Sequence, residues 1–313
     1  MSGLEALRGG GKVALARALA RIESRPSDPE TVALLDEAWA RPAGHAIGLT
    51  GPPGVGKSTL TDALIRGWRA RGRSVAVIAV DPSSRRSRGA LLGDRTRLTT
   101  DPGDEGVFVR SMAARDRLGG LAATAWPSLV LMRALFDIVI LETVGVGQSE
   151  TEIEDVADTV VFCAQPGAGD ALQFMKAGVV EIPHLVVVTK ADMGAIAHRA
   201  VADLKVALSL AAGDEPPAVV GCSAATGEGV ESLIESLDSR AADMTIDHAM
   251  QHRREAQVIA WLKRSLSDEF GTAGFSLLQR DIDPADVRKA PFKVAETLRT
   301  RGKMALLVGF QPQ

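Results

Sequence analysis

A mainly parallel α/β sheet flanked by helices, with helical extensions at both ends, is the fold that this sequence predicts. Three observations predict it. Seven short apolar runs lie between residues 46 and 222, near-continuous rather than alternating, as in strands buried on both faces. Stretches of helical periodicity separate them. The first run leads into a glycine-rich turn that opens a helix, the strand–loop–helix order of a phosphate-binding domain.

Residues 1–43 read as an N-terminal helical extension. Val13, Leu15, Ala16, Leu19 and Ile22 form an apolar stripe, broken at Arg25-Pro26-Ser27-Asp28-Pro29, and a second helix spans 31–39 before Pro42. A nucleotide domain occupies 44–240, with strands at 46–49, 75–80, 107–110, 138–142, 159–164, 185–189 and 218–222. The strands then stop, and 241–313 reads as a C-terminal helical region. A long helix over 250–270 carries Val258, Ile259, Trp261, Leu262 and Leu266 on one face, and Pro284 and Pro291 divide the remaining helical segments. That face has no strand partner in the pattern, so it predicts a dimer contact, with packing back on the nucleotide domain as the alternative.

Composition narrows the class. The 313 residues are 46% hydrophobic and 24% charged, the mix of an ordinary globular protein. No apolar run approaches the roughly 18 residues needed to span a bilayer, and Met1-Ser2-Gly3-Leu4-Glu5 lacks the apolar core of a secretion signal. A cytoplasmic location with no membrane partner is expected. A net charge of −3 argues against a nucleic-acid binder. Cys163 and Cys222 fall in apolar strands and read as reduced core residues, while the five histidines are scattered. The basic cluster Arg85, Arg86 and Arg88 is either a solvated loop or a segment that contacts phosphate or a partner.

The chemistry starts at Gly51-Pro52-Pro53-Gly54-Val55-Gly56-Lys57-Ser58-Thr59, which fits the phosphate-loop spacing G-x-x-x-x-G-K-[ST]. Its glycines let successive backbone N–H groups turn toward a polyphosphate at a helix N-terminus. Lys57 would reach the terminal phosphates and the Ser58 hydroxyl would ligate Mg²⁺. Leu60, Ala63, Leu64 and Trp68 give the next helix its apolar face. These features predict a P-loop NTPase fold.

The base is read further along. Thr189-Lys190-Ala191-Asp192 ends an apolar strand in the guanine-reading pattern [N/T]-K-x-D, with Thr where Asn is usual. The Asp192 carboxylate can accept from N1–H and the 2-amino group of guanine, a pair that adenine lacks. A buried carboxylate beside adenine would go unpaired, at a cost of about 1–3 kcal/mol. The Lys190 stem would stack on the base. Ser223-Ala224-Ala225 resembles the strand-end loop whose N–H contacts guanine O6. GTP and GDP are therefore the expected ligands.

Metal and switch residues come from two further strand ends. Asp81 closes one, with Asp94 downstream, and either could reach Mg²⁺ directly or through water or simply cap its loop. Glu142-Thr143-Val144-Gly145 stands in the slot of D-x-x-G, where Glu142 would hold a metal-bound water and the Gly145 N–H would sense the γ-phosphate. Val146 occupies the place of the water-orienting Gln of many GTPases, and an apolar side chain cannot orient water. Lys57, Glu142 and Gly145 are thus the candidate catalytic groups.

Together these segments, with Glu142-Thr143-Val144-Gly145-Val146-Gly147-Gln148-Ser149-Glu150 and Pro166-Gly167-Ala168-Gly169-Asp170, resemble the MeaB/ArgK family, bacterial counterparts of the methylmalonic aciduria type A protein. The likeness runs over roughly 10–265, and Arg17–Glu23 and Arg253-Arg254-Glu255 also fit. It implies a GTPase that forms homodimers through C-terminal helical arms. It further implies a chaperone for adenosylcobalamin-dependent methylmalonyl-CoA mutase, gating cofactor loading and protecting the enzyme, slow alone and stimulated by the mutase. Asp81, Asp94 and Glu142 fall on the family's metal and switch positions. Gln148, and Asp170, Gln173 and Lys176 of a second loop, fall on its partner-sensing switches. Two rivals are a P-loop kinase, from the family's older arginine/ornithine transport kinase label, and a nickel-type metallochaperone. The first would need an acceptor pocket and general base, the second His/Cys ligands, and the sequence points to neither.

Overall fold

The computed structural model describes residues 3–81, 100–113, 124–143, 152–167, 182–211 and 216–309. Seven strands form one sheet: β1 (His45–Thr50), β2 (Val75–Asp81), β3 (Val107–Ala113), β4 (Ile138–Glu142), β5 (Thr159–Ala164), β6 (Leu185–Val188) and β7 (Ala218–Gly221). Their order is β3-β2-β4-β1-β5-β6-β7, and every neighbouring pair is parallel. All seven expected strands are present. β1, β4, β5 and β6 are buried along their whole length, which is why they read as continuous apolar runs.

The chain divides into two compact units. One comprises Gly44–Ala125 and Phe136–Met250, and the other gathers Met1–Ala43, Trp126–Leu135 and Gln251–Gln313. In the sheet unit, α3 (Lys57–Ala70), α5 (Ala195–Ala211) and α6 (Val230–Ile246) accompany the strands. Leu60, Ala63, Leu64 and Trp68 of α3 are buried in a core with Ile47, Ile140, Val161 and Val187. Strand order fixes where the ends converge. β1 lies between β4 and β5, so the loop after β1 emerges beside the ends of both, where parallel α/β sheets bind ligands.

The helical unit contains α1 (Gly3–Ser24), α2 (Pro29–Ala40), α4 (Ala125–Leu135), α7 (Ala249–Leu278), α8 (Pro284–Lys289) and α9 (Pro291–Gly309). Asp28 caps α2, its carboxylate accepting from the Glu30 N–H at 3.0 Å, and Pro29 sits where a missing N–H is tolerated. Asp36 of α2 accepts from the Phe292 and Lys293 N–H groups at 2.9 and 3.1 Å, capping α9. Trp126 stacks on Trp261 at 4.7 Å between centroids, and Phe292 lies 5.3 Å from Trp126. No helix among the described residues is long and apolar enough to cross a membrane.

Two helical readings need correction. Val13 is 62% exposed. After the break at Gly11 (φ 60°, ψ −157°) the helix runs regularly, and Val13, two residues before Leu15, falls on the side opposite the buried stripe of Leu15, Ala18, Leu19 and Ile22. On α7, Val258, Leu262 and Leu266 are buried but Ile259 is 44% exposed, one position off the buried face. Leu266 packs with Leu278 and Leu298, and Trp261 is engaged by Trp126 and Phe292. Most of the face read as a dimer contact is therefore covered within this single chain. Helix α4 was not foreseen.

Candidate nucleotide site

The phosphate loop joins β1 to α3. Gly51, Gly54 and Gly56 have φ of 135°, 75° and 102°, backbone that side-chain-bearing residues rarely adopt. Gly51 is also pressed against β5, where a Cβ would stand 2.2 Å from the Cys163 carbonyl oxygen. The glycines at 51, 54 and 56 are thus backbone requirements of this turn. Lys57 is buried and its Nζ donates to the Gly51 and Pro52 carbonyls at 2.7 and 3.0 Å, bracing the loop from inside.

Glu142, at the end of β4 and 7% exposed, meets the same helix. The Ser58 hydroxyl donates to its Oε1 at 2.6 Å and the Thr61 hydroxyl to its Oε2 at 3.1 Å. Two residues expected at the metal therefore touch, 84 positions apart in sequence. Thr61 was missed by sequence reading, although its spacing from Ser58 puts both hydroxyls on one turn of helix. Thr143 closes the corner, its N–H donating to the Leu49 carbonyl at 3.1 Å and its hydroxyl to Thr50 Oγ1 at 3.1 Å. Beneath the loop, burial pushes the Cys163 thiol up to about 12, partly offset by Lys57, and the Cys222 thiol up to about 11. Both are free, buried, neutral thiols.

The base side lies at the ends of β6 and β7. Thr189 is buried, and its hydroxyl lies 2.7 Å from the Val55 carbonyl and 3.0 Å from that of Ala164, donating to the pair. The residue standing where Asn is usual thus ties the base strand to the phosphate loop. Lys190 takes left-handed backbone (φ 56°), at a cost of about 1 kcal/mol for a non-glycine, and its Nζ donates to Gln165 at 2.8 Å. Asp192 lies in a short 3₁₀ turn, Ala191–Met193, and is exposed rather than buried as expected. The Ala191 N–H donates to the Cys222 carbonyl at 3.2 Å, which holds this turn against the Ser223–Ala225 loop. Ser223 is itself buried, its N–H donating to the Glu228 carbonyl at 2.8 Å.

Asp81 ends β2 two residues beyond Ala79, the register partner of Glu142, so its backbone lies on the strand next to β4. Asp94, Gly145, Gln148, Asp170, Gln173 and Lys176 lie outside the described residues, as do Val146 and the Arg85–Arg88 cluster. The donor set suits a triphosphate with Mg²⁺: glycines in left-handed backbone, a buried lysine, and a hydroxyl–carboxylate pair at one helix start. Mg²⁺ commonly takes one or two protein oxygens and completes its octahedron with phosphate and water.

The family model described as methylmalonyl Co-A mutase-associated GTPase MeaB matches residues 15–275. A Pyrococcus horikoshii protein carrying a provisional GTPase name is 36% identical over 299 residues, covering 90% of this chain and 93% of the relative. The mouse mitochondrial methylmalonic aciduria type A homolog is 36% identical over 228 residues, 71% of this chain and 55% of that protein. Among solved structures, the LAO/AO transport system kinase superposes with a TM-score of 0.66 at 28% identity, covering 88% of this chain and 87% of the other.

Proposed function

The chain belongs to the MeaB family of GTPases, and from that premise we propose that it couples GTP hydrolysis to an adenosylcobalamin-dependent acyl-CoA mutase, methylmalonyl-CoA mutase foremost, assisting cofactor loading and protecting the loaded enzyme. One observation carries the nucleotide part of this reading. The Thr189 hydroxyl at 2.7 Å from the Val55 carbonyl joins the guanine pattern and the phosphate loop, 134 residues apart, into one site.

In that site Lys57 is the group for the β- and γ-phosphates, and the loop N–H groups are donors for the remaining oxygens. Ser58 would hold Mg²⁺, with Glu142 holding a water beside it and Asp81 and Asp94 in the surroundings, and the ion would neutralise the charge that develops on hydrolysis. Asp192 accepts from guanine N1–H and the 2-amino group, Lys190 stacks on the base, and Ala224 and Ala225 offer N–H groups to O6 next to the engaged Ser223. Water attacks the γ-phosphorus, the bond to the β–γ bridging oxygen breaks, and GDP and phosphate leave. Val146 cannot orient that water, so turnover is slow until the mutase supplies the missing order through Gly145, Gln148 and the loop bearing Asp170, Gln173 and Lys176. The mutase should raise turnover by one to several orders of magnitude, on the order of 1–4 kcal/mol in barrier.

A cytoplasmic homodimer completes the reading. Since the Leu262–Leu266 face of α7 is occupied in its own chain, a dimer would use other surface. Exposed Met304 and Leu306 on α9 are candidates. The LAO/AO kinase likeness favours a second reading, γ-phosphate transfer to a small acceptor. GTP turnover measured with and without methylmalonyl-CoA mutase decides between them. Stimulation with free phosphate as product supports the chaperone reading; no response to any cobalamin mutase removes it, and a phosphorylated acceptor would install the kinase. Lys176→Ala should keep GTP affinity near wild type while blunting stimulation, and unchanged stimulation would take that loop out of the mechanism.

A further inference from the structure

The Glu142 carboxylate accepts from a hydroxyl at each oxygen, and only one of these two hydroxyls belongs to the phosphate-loop pattern. Ser58 takes Oε1 at 2.6 Å; Thr61, one helical turn later and fully buried, takes Oε2 at 3.1 Å. Both hydroxyls project from the first turns of α3 toward the end of β4. We propose that Thr61 is the positioning residue that sets Glu142 for Mg²⁺, a role resting on the Mg²⁺·GTP reading above.

The physical reason lies in what each hydroxyl can do when the metal is bound. Ser58 must present a lone pair to Mg²⁺, and its single proton can still reach Glu142 Oε1. That arrangement survives only if the carboxylate does not rotate. Rotation about the last side-chain torsion of a glutamate is soft, and the Ser58 bond alone constrains one oxygen. Thr61 supplies the second fixed point from a buried position where no water competes. It engages Oε2, the oxygen that Ser58 does not take, so the carboxylate is fixed at both oxygens and Oε1 stays with the hydroxyl that would ligate the metal. Groups that orient metal-site carboxylates in this way commonly change metal affinity by about 10–100-fold when removed.

Two variants separate the Thr61 hydroxyl from its buried bulk. Thr61→Val keeps shape and β-branching and removes the donor; Thr61→Ser keeps the donor and removes a methyl. The experiment titrates Mg²⁺ against binding of a fluorescent GDP in the full-length protein, with a parallel titration in EDTA and a thermal melt of each variant. Thr61→Val should raise the Mg²⁺ concentration for half-saturation about tenfold, leave affinity in EDTA within about twofold of wild type, and be rescued by Thr61→Ser. Equal Mg²⁺ dependence in wild type and Thr61→Val overturns the positioning role. So does an equal loss of affinity with and without Mg²⁺, which marks a purely structural contribution. If Thr61→Val does not fold, Thr61→Ala serves in its place with the same expected pattern. Wild type that binds GDP without regard to Mg²⁺ would instead overturn the metal reading on which the inference rests.

Discussion

The two halves of the nucleotide site are built on opposite terms. On the phosphate side Lys57, Ser58, Thr61 and Glu142 are buried or half-buried and already bonded to one another or to the loop. On the base side Asp192 and Lys190 are exposed, and only Thr189 and Ser223 are buried. The phosphate half is tied together by bonds within the protein, so changing one group there leaves a partner unmatched. The base half, as proposed, places its selectivity on exposed side chains whose loss should disturb the fold little.

That contrast can be broken most forcefully at Glu142. Glu142→Ala removes the acceptor of one buried and one half-buried hydroxyl and should cost about 1–3 kcal/mol of stability. GTP turnover should fall at least about hundredfold in the same variant. A melt unchanged from wild type would show that the phosphate half is less self-bonded than its geometry implies.

Asp192→Asn should act on the ligand alone. Replacing one acceptor oxygen by an amide donor should weaken GTP binding by about a hundredfold and favour xanthine nucleotides, whose C2 oxygen can accept. Stability should stay within about 0.5 kcal/mol, as for other exposed substitutions. Thr189→Val tests the hinge between the halves. Losing the donor to the Val55 carbonyl should lower stability by about 1 kcal/mol and GTP affinity by about tenfold together. If only one of the two moved, the tether would belong to one half rather than to both.

The smallest effect lies at the other end of the sheet and titrates with pH. Burial tends to raise the Asp137 carboxyl, but the Ser74 N–H and hydroxyl, both at 2.7 Å from Oδ2, and Arg73 outweigh it and hold the carboxyl below the ordinary range. A lowered folded-state value gives stability that is present above the unfolded value, near pH 4, and is lost as pH falls through the folded one. The melting advantage of wild type over Asp137→Asn should therefore be modest at pH 7 and shrink toward pH 3. Asp36 has the opposite sign. Its burial raises the carboxyl despite the Phe292 and Lys293 N–H bonds, so its contribution is fullest at low pH and lost as pH rises through the folded value.

Much of this site was legible because its parts are local. A phosphate loop is dictated by steric demands within a few residues, and a strand buried on both faces writes itself as an apolar run. Positions 138–142 and 159–164 match the observed strands residue for residue. What stayed hidden depends on distant partners or on a break in period. Thr61 looks like one more helical hydroxyl until β4 brings Glu142 to it. Thr189 looks like a weakened motif until its hydroxyl is seen at the Val55 carbonyl. Val13 was misplaced because two residues of helix separate it from Leu15 and turn it to the opposite side, and the α7 face looked unpartnered because its partners, Trp126 on an unforeseen helix and Leu298, are far away in sequence.

The central claim is that one site spans both halves and reads guanine through Asp192. A competition titration of wild-type protein, displacing a fluorescent GDP with GTP, ATP and XTP in Mg²⁺, tests it most directly. GTP should displace it at concentrations at least about a hundredfold below those needed for ATP, with XTP overtaking GTP only in Asp192→Asn. ATP displacing as well as GTP from the wild-type protein would contradict it.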